Sequence, residues 1–250
     1  KMSINYPDSK SVISDVTTDN LSQPMQIRQK AVFVGDISVG KTSIISRFNE
    51  NKFKDTYEPS IGVDFSAKTL KFKGKLLKIQ IWDSAGQEKY KSLIPSYIKG
   101  SAVIFVVYDV SNRDSFDNVP KWIKFINDIE KPLLVIVANK VDLPQETRKV
   151  TTYEGEKYAK DNNFLFFEAS AKENINIRAV FFSSVVELPF FGQFKSSKDK
   201  DNKNLIEELE YENSDFNNGA LPGSLNDSSR INISMIGGSS SSGGNKRCKC

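Results

Sequence analysis

Residues Gly35-Asp36-Ile37-Ser38-Val39-Gly40-Lys41-Thr42 follow the apolar run Ala31-Val32-Phe33-Val34 and precede a helical pattern of Ile44, Ile45 and Phe48. A Gly-x-x-x-x-Gly-Lys-Thr stretch between strand and helix reads as a phosphate-binding loop. Its glycines let successive N–H groups converge on phosphate oxygens, and the helix beginning near Lys41 adds its positive end. Lys41 would reach the β- and γ-phosphates, and the Thr42 hydroxyl would ligate Mg2+. Gly35, Ser38, Val39, Gly40 and Ser43 complete the expected phosphate site. Such a loop requires a metal ligand, a γ-phosphate sensor and a base-reading motif at later strand ends.

Composition narrows the class. The chain has 250 residues, 38% apolar and 26% charged, with net charge +4, enough for one core plus extensions. No stretch of the body is basic enough to suggest nucleic acid. The longest apolar runs, Ala102–Tyr108 and Leu133–Ala138, are strand-sized and far too short to span a bilayer. Residues 1–27 are polar, so no secretory signal is expected, and the opening Lys1-Met2 puts the true start at Met2 or outside this sequence. There is no histidine, which excludes imidazole chemistry. The two cysteines, Cys248 and Cys250, leave no disulfide framework inside the body, which fits a reducing compartment.

From Lys30 to Leu188, β-rich runs near 30–35, 62–73, 75–82, 102–108, 133–139 and 164–168 alternate with helical patterns near 41–50, 88–99, 114–129, 152–162 and 174–187. Crossovers of this kind predict an α/β fold: one domain with a six-stranded, mostly parallel sheet and five helices. A hairpin at Lys73-Gly74-Lys75 makes one edge strand antiparallel. Residues 1–28 are expected to be a disordered arm. From 189 to 250, Ser, Asn, Asp, Gly and Lys dominate, which predicts a disordered tail.

The later strand ends carry the required chemistry. Asp83-Ser84-Ala85-Gly86 follows the strand Leu77–Trp82; Asp83 can hold Mg2+ through a water. Gly86 brings a backbone N–H near a γ-phosphate oxygen, and Gln87 is placed to orient water. Asn139-Lys140-Val141-Asp142 follows Leu133–Ala138 and is the most discriminating element. A carboxylate at Asp142 accepts two hydrogen bonds from guanine N1–H and N2, a donor pair adenine lacks, which selects GTP over ATP. Ser170-Ala171-Lys172, after Phe164–Phe167, offers a backbone N–H to guanine O6 while Ser170 braces Asp142. Between loop and hairpin, residues 53–62 form a segment whose hydroxyl can close on Mg2+ and the γ-phosphate, an order–disorder switch.

With these motifs in place, residues 29–188 and the last three residues resemble the Ras superfamily of small GTPases, and within it the Rab family of membrane-traffic regulators. The likeness rests on Ile61-Gly62-Val63-Asp64-Phe65, on Trp82-Asp83-Ser84-Ala85-Gly86-Gln87-Glu88, and on Ser92-Leu93-Ile94-Pro95-Ser96-Tyr97-Ile98, whose wording is closest to the Golgi-acting subgroup. The resemblance implies a GTPase (G) domain binding GTP or GDP with Mg2+, a monomer with no nucleic-acid role. It implies that Phe53 stacks on guanine, Tyr57 lies over the phosphates, and Ser60 is a Mg2+ ligand beside Thr42 and Asp83. It also implies an effector face of Phe65, Trp82 and Tyr97, for which core packing is the alternative. The implied partners are an exchange factor, a GTPase-activating protein, a GDP-dissociation inhibitor or escort protein, and effectors. Cys248-Lys249-Cys250 resembles the ending that receives two geranylgeranyl groups; one short chain alone binds membranes only marginally, at about 10⁴ M⁻¹. The implied location is the cytoplasmic face of a Golgi or endosomal membrane, in exchange with cytosol.

Three positions depart from the family pattern. Ser60 and Ser84 stand where Thr is usual, and Ile37 stands where a small or polar residue is common. Ser60 keeps the hydroxyl but loses the methyl that restricts χ1. Ile37 would crowd Gln87 or an incoming arginine, which predicts slow turnover. With no histidine or paired carboxylates, hydrolysis is expected from water positioned by Gln87 and charge neutralised by Lys41, Mg2+ and backbone N–H groups. The rival reading is a GTP-locked scaffold that does not hydrolyse; Gln87 favours the active switch. An ATP-using kinase is disfavoured by Asp142.

Overall fold

Strand β4, Val103–Asp109, is buried along its whole length, as a central parallel strand covered on both faces must be. Its side chains alternate: Val103, Phe105 and Val107 enter one core, Ile104, Val106 and Tyr108 the other. β1 (Gln26–Val34) and β5 (Leu133–Asn139) flank β4 in parallel. β3 (Lys75–Ser84) lies parallel beyond β1, and β6 (Leu165–Ala169) beyond β5. β2 (Val63–Phe72) pairs antiparallel with β3, from Val63 opposite Ser84 to Phe72 opposite Lys75. The expected six-stranded mixed sheet is therefore present. This computed structural model describes residues 26–56, 63–73, 75–84, 93–189, 191 and 209–211.

Helices α1 (Lys41–Glu50) and α6 (Ile177–Val186) cover one face of the sheet. The other face carries α2 (Ile94–Ile98), α3 (Arg113–Asp117), α4 (Val119–Asn127) and α5 (Thr152–Asp161). The first core is built on rings: Phe33 stacks on Phe105 with centroids 4.4 Å apart, and Phe48 of α1 stacks on Phe181 of α6 at 3.7 Å. Burying side chains of this size stabilises by about 1.5–3 kcal/mol each, so α1 is anchored firmly. That matters because α1 carries Lys41 and Thr42 at its first turn.

Several boundaries differ from expectation, each for a physical reason. β1 begins at Gln26, inside the stretch 1–28 expected to be disordered, because Gln26 to Lys30 pair with β3 in spite of their mostly polar composition. The helix expected over 114–129 is two helices meeting at Asn118. Pro120 has no N–H to donate, and its ring would collide with the carbonyl four residues back. The helix expected at 174–187 starts only at Ile177, since Ser170 and Ile175 form an antiparallel bridge and Asn174 and Asn176 are left-handed. Of the helix expected at 88–99, residues 88–92 lie outside the described residues.

The stretch after residue 189 is not wholly without structure. Phe191 is fully buried and meets the Phe72 ring at 4.8 Å. Residues Leu209–Tyr211 form β7, which extends the sheet by pairing antiparallel with Leu70, Lys71 and Phe72 at the β2 edge. Leu209 is fully buried, its carbonyl accepts from Arg178 Nη2 at 2.9 Å, and Tyr211 packs against Phe48 and Phe182. The polar composition around this triplet conceals it, because two apolar residues suffice when a ready edge and an aromatic wall receive them. Leu209→Ala should cost about 2 kcal/mol and lower the melting temperature of the full chain by about 5 °C. An unchanged thermal denaturation midpoint would contradict the docking.

Candidate functional site

The C-terminal ends of the parallel strands converge on one rim, where an open α/β sheet receives its ligand. β1 delivers the glycine loop, β3 Asp83, β4 Asp109, β5 Asn139, and β6 the loop beginning at Ser170. A cleft of about 1110 Å³ opens there, lined by Ser38, Gly40, Lys41, Thr42, Ser43, Phe53, Asp83, Asn139, Lys140, Asp142, Ala171 and Lys172 among others.

The glycine loop is shaped by two backbone requirements. Gly35 has φ 138°, and a Cβ there would sit 2.2 Å from the Val107 carbonyl oxygen, so its role is close packing against β4. Gly40 has φ 93°, and a Cβ there would lie 2.3 Å from Asn139 Nδ2. With Ser38 also left-handed at φ 63°, the loop curls into a concave run ahead of α1. Val39 turns its side chain into the core while its carbonyl accepts from Asn139 Nδ2 at 2.9 Å.

Lys41 is buried at the centre of this curl. Its ammonium donates to the carbonyls of Gly35 at 3.0 Å and Asp36 at 2.7 Å, and burial pulls its pKa down to about 8 against the opposing effect of Asp83 and Asp36. The Asp36 carboxylate faces away from the cleft, accepting from Trp122 Nε1 at 2.8 Å and Asn118 Nδ2 at 2.7 Å. The helix break at Asn118 thus has a use: it presents two donors to the outer side of the loop.

Thr42 Oγ1 donates to Asp83 Oδ2 at 2.5 Å, bringing together two of the expected metal ligands. Asp83 Oδ1 is buried with no hydrogen-bond partner among the described residues, and burial pushes the carboxyl up to about 6. An orphaned carboxylate oxygen beside a hydroxyl is a hard-oxygen donor set that fits Mg2+. The third expected ligand, Ser60, lies outside the described residues, as do Tyr57, Gly86 and Gln87. Ser84 is buried and donates to the Phe33 carbonyl at 2.6 Å, so its hydroxyl serves the sheet rather than the cleft.

At the other end, Ser170 Oγ donates to Asp142 Oδ1 at 2.5 Å and accepts from Glu173 N at 3.0 Å. Ser170 is fully buried and acts from behind Asp142 rather than lining the cleft. Asn139 Oδ1 faces the Ala171 N–H at 3.4 Å. Lys140, left-handed at φ 68°, is held by Asp109 Oδ2 at 2.6 Å. Phe53 is half-buried at the mouth of the cleft. Phe65, Trp82 and Tyr97 form one continuous patch, with ring centroids 5.1 and 5.3 Å apart. Phe65 is exposed, while Trp82 and Tyr97 are half-buried.

Four residues that sequence reasoning did not single out hold this site in place: Arg47, Asp109, Asn118 and Trp122. Asp36 belonged to the quoted motif, but its sideways anchorage had no sequence signal. Arg47 reads as an ordinary cation near a helix C-terminus, and the donors to Asp36 come from a helix 82 and 86 residues away.

The family model for the Ras family matches residues 30–189, well over half of the chain. The chain belongs to the Ras family of small GTPases. As such it is a nucleotide switch that binds GTP and GDP with Mg2+ and hydrolyses GTP, with exchange factors, GTPase-activating proteins and effectors as the general classes of partner.

Two outcomes follow from the geometry. Gly40→Ala should displace the Asn139 amide and weaken GDP binding by at least about tenfold, since a lost buried hydrogen bond costs about 1–3 kcal/mol; fluorescent-GDP titration measures it. With Asp83 raised to about 6, its proton competes with metal, so apparent Mg2+ affinity should fall by about tenfold per pH unit below that value. Above pH 7 this competition disappears, and a flat profile from pH 5 to 7 in Mg2+ titrations of the GDP-bound chain would contradict it.

Proposed function

We propose that this chain is a Rab-type switch acting in vesicle traffic at a Golgi or endosomal membrane, anchored through geranylgeranyl groups on Cys248 and Cys250. The observation that carries the Rab reading is the continuous Phe65–Trp82–Tyr97 patch, an apolar surface next to Asp83 near the end of β3. An effector that reads the GTP state would dock there. The G domain, taken as residues 29–188 in the sequence, also includes β1 from Gln26 and the docked β7, and the stretch from 212 to Cys250 acts as tether. A GDP-dissociation inhibitor or escort protein would cover the lipids during exchange with cytosol. Cys248 and Cys250 lie outside the described residues, so this arm rests on the sequence.

In the site, Asp142 accepts guanine N1–H and N2, Ser170 holds that carboxylate in place, and the Ala171 N–H meets O6. Phe53 stacks on the base. Lys41 gives up its loop carbonyls in part to neutralise β- and γ-phosphate charge, which restores its full ammonium character. Thr42, Ser60 and Asp83 would hold Mg2+, which would neutralise charge on the phosphates. The family resemblance would put Tyr57 over the phosphates, the Gly86 N–H at the γ-phosphate and Gln87 beside the attacking water; all three lie outside the described residues. Ile37, 48% exposed on the rim, crowds that water's approach and keeps unassisted turnover slow.

Single-turnover hydrolysis with Mg2+ should release phosphate at roughly 10⁻⁴ per second, and Gln87→Leu should suppress it. Tight GTP binding without hydrolysis in either protein would favour a GTP-locked scaffold instead. Asp142→Asn should move preference from GTP towards xanthosine triphosphate, because an amide donates where the carboxylate accepted. Equal GTP affinity in that variant would remove Asp142 from base reading. For the Rab reading, lipid attachment is tested with a prenyl donor and the escort machinery. Modification of a Cys248→Ser/Cys250→Ser variant as strong as that of wild type would exclude these cysteines.

A further inference from the structure

The Arg47 guanidinium, on the last turn of α1, makes four hydrogen bonds. Nε donates to the Ala171 carbonyl at 2.8 Å and Nη2 to the Lys172 carbonyl at 2.9 Å. Nη1 donates to the Asn51 carbonyl at 2.9 Å and to Asn51 Oδ1 at 3.2 Å. Asn51 is the left-handed residue that ends α1, two positions before Phe53. One planar cation therefore joins both walls of the base end of the cleft: the segment leading to Phe53 and the loop that carries Ala171. A helix-end cation would ordinarily satisfy only its own helix's last carbonyls. Here two of the four bonds go to residues 124 and 125 positions away.

Residue Ala171 is held through its carbonyl by Arg47, while its N–H, 3.4 Å from Asn139 Oδ1 and so only weakly engaged there, is left to meet a ligand acceptor. Another link across the cleft among the described residues, Lys172 to Asp55 at 3.8 Å, joins two exposed side chains and contributes little. Arg47 supplies the rigid fork that matches two successive carbonyls, and a lysine ammonium cannot reproduce it.

We propose that Arg47 is a positioning residue for guanine specificity: by gripping the Ala171 and Lys172 carbonyls it fixes the Ala171 N–H at the distance that suits a guanine O6. This rests on the guanine-site reading above and assigns one of its contacts a support. Asp142, which reads the N2 side, is braced by Ser170, and none of the four Arg47 hydrogen bonds goes to either residue. The two halves of base recognition therefore have separate supports.

The test measures dissociation of GDP, IDP and 6-thio-GDP from the full chain, its Arg47→Ala and Arg47→Lys variants, with melting temperatures alongside. IDP lacks the N2 amino group, whereas 6-thio-GDP replaces O6 by the larger, weaker acceptor sulfur. Arg47→Ala should speed GDP release by about tenfold and shrink the wild-type preference for GDP over 6-thio-GDP towards one. The preference for GDP over IDP should stay as in wild type. Arg47→Lys, which reaches one carbonyl, should fall between. Acceleration of all three nucleotides by the same factor would reduce Arg47 to a stabilising residue and overturn the proposal. So would unchanged rates, or a wild type indifferent to sulfur at position 6. A wild type that retains no GDP would overturn the guanine-site reading itself, and this inference with it.

Discussion

The Asn139 side chain is the constraint on which the site depends. Its Nδ2 donates to Val39 O in the glycine loop and its Oδ1 faces Ala171 N in the base loop. One amide, at the end of a buried strand, thereby sets the distance between the phosphate end of the cleft and the base end. It reaches the loop only because residue 40 has no side chain. The glycine signature and the Asn-Lys-x-Asp motif are about a hundred residues apart in sequence, yet neither has its geometry without the other. Rigidity then follows from burial, since β5 is enclosed by β4 and β6 and cannot shift without breaking both ladders.

The charges in the cleft tell a complementary story. Burial works against the ammonium of Lys41 and against the carboxylate of Asp83, drawing their pKa values towards each other, to about 8 and about 6. Each is held where its charge is poorly solvated, one by loop carbonyls and one by the Thr42 hydroxyl. An anionic phosphate chain and a divalent cation supply what each lacks. The site stores in desolvation what it recovers on binding, which is how a small cleft obtains tight, Mg2+-linked nucleotide retention.

Much of this was legible in the chain because its signals are local. Alternating apolar runs gave the strands, and the glycine loop, Asp83, Asn139 to Asp142 and Ser170 to Lys172 fall at strand ends as the parallel topology demands. The bracing of Asp142 by Ser170 was foreseen from motif chemistry and appears as a direct hydrogen bond. What was not legible is tertiary support. Arg47, Asn118 and Trp122 are ordinary helix residues until the fold carries them to the loops. The split at Asn118 was available from Pro120, whose ring forbids a continuous helix, but the strong apolar periodicity around it masked the break. β7 was hidden by its brevity: Leu209 and Tyr211 matter only because Phe48, Phe182 and the β2 edge receive them.

The most direct measurement is the rate of GDP release in Mg2+ from wild type and from Asn139→Ala. If one amide couples the two halves of the cleft, its loss should accelerate release by at least about tenfold, consistent with removal of the buried hydrogen bond to the Val39 carbonyl. Release should quicken for GDP and IDP alike, because the damage is to the frame and not to one base contact. A rate equal to that of wild type would mean that the phosphate loop and the base loop are held independently, and that Asn139 does not set the geometry between them.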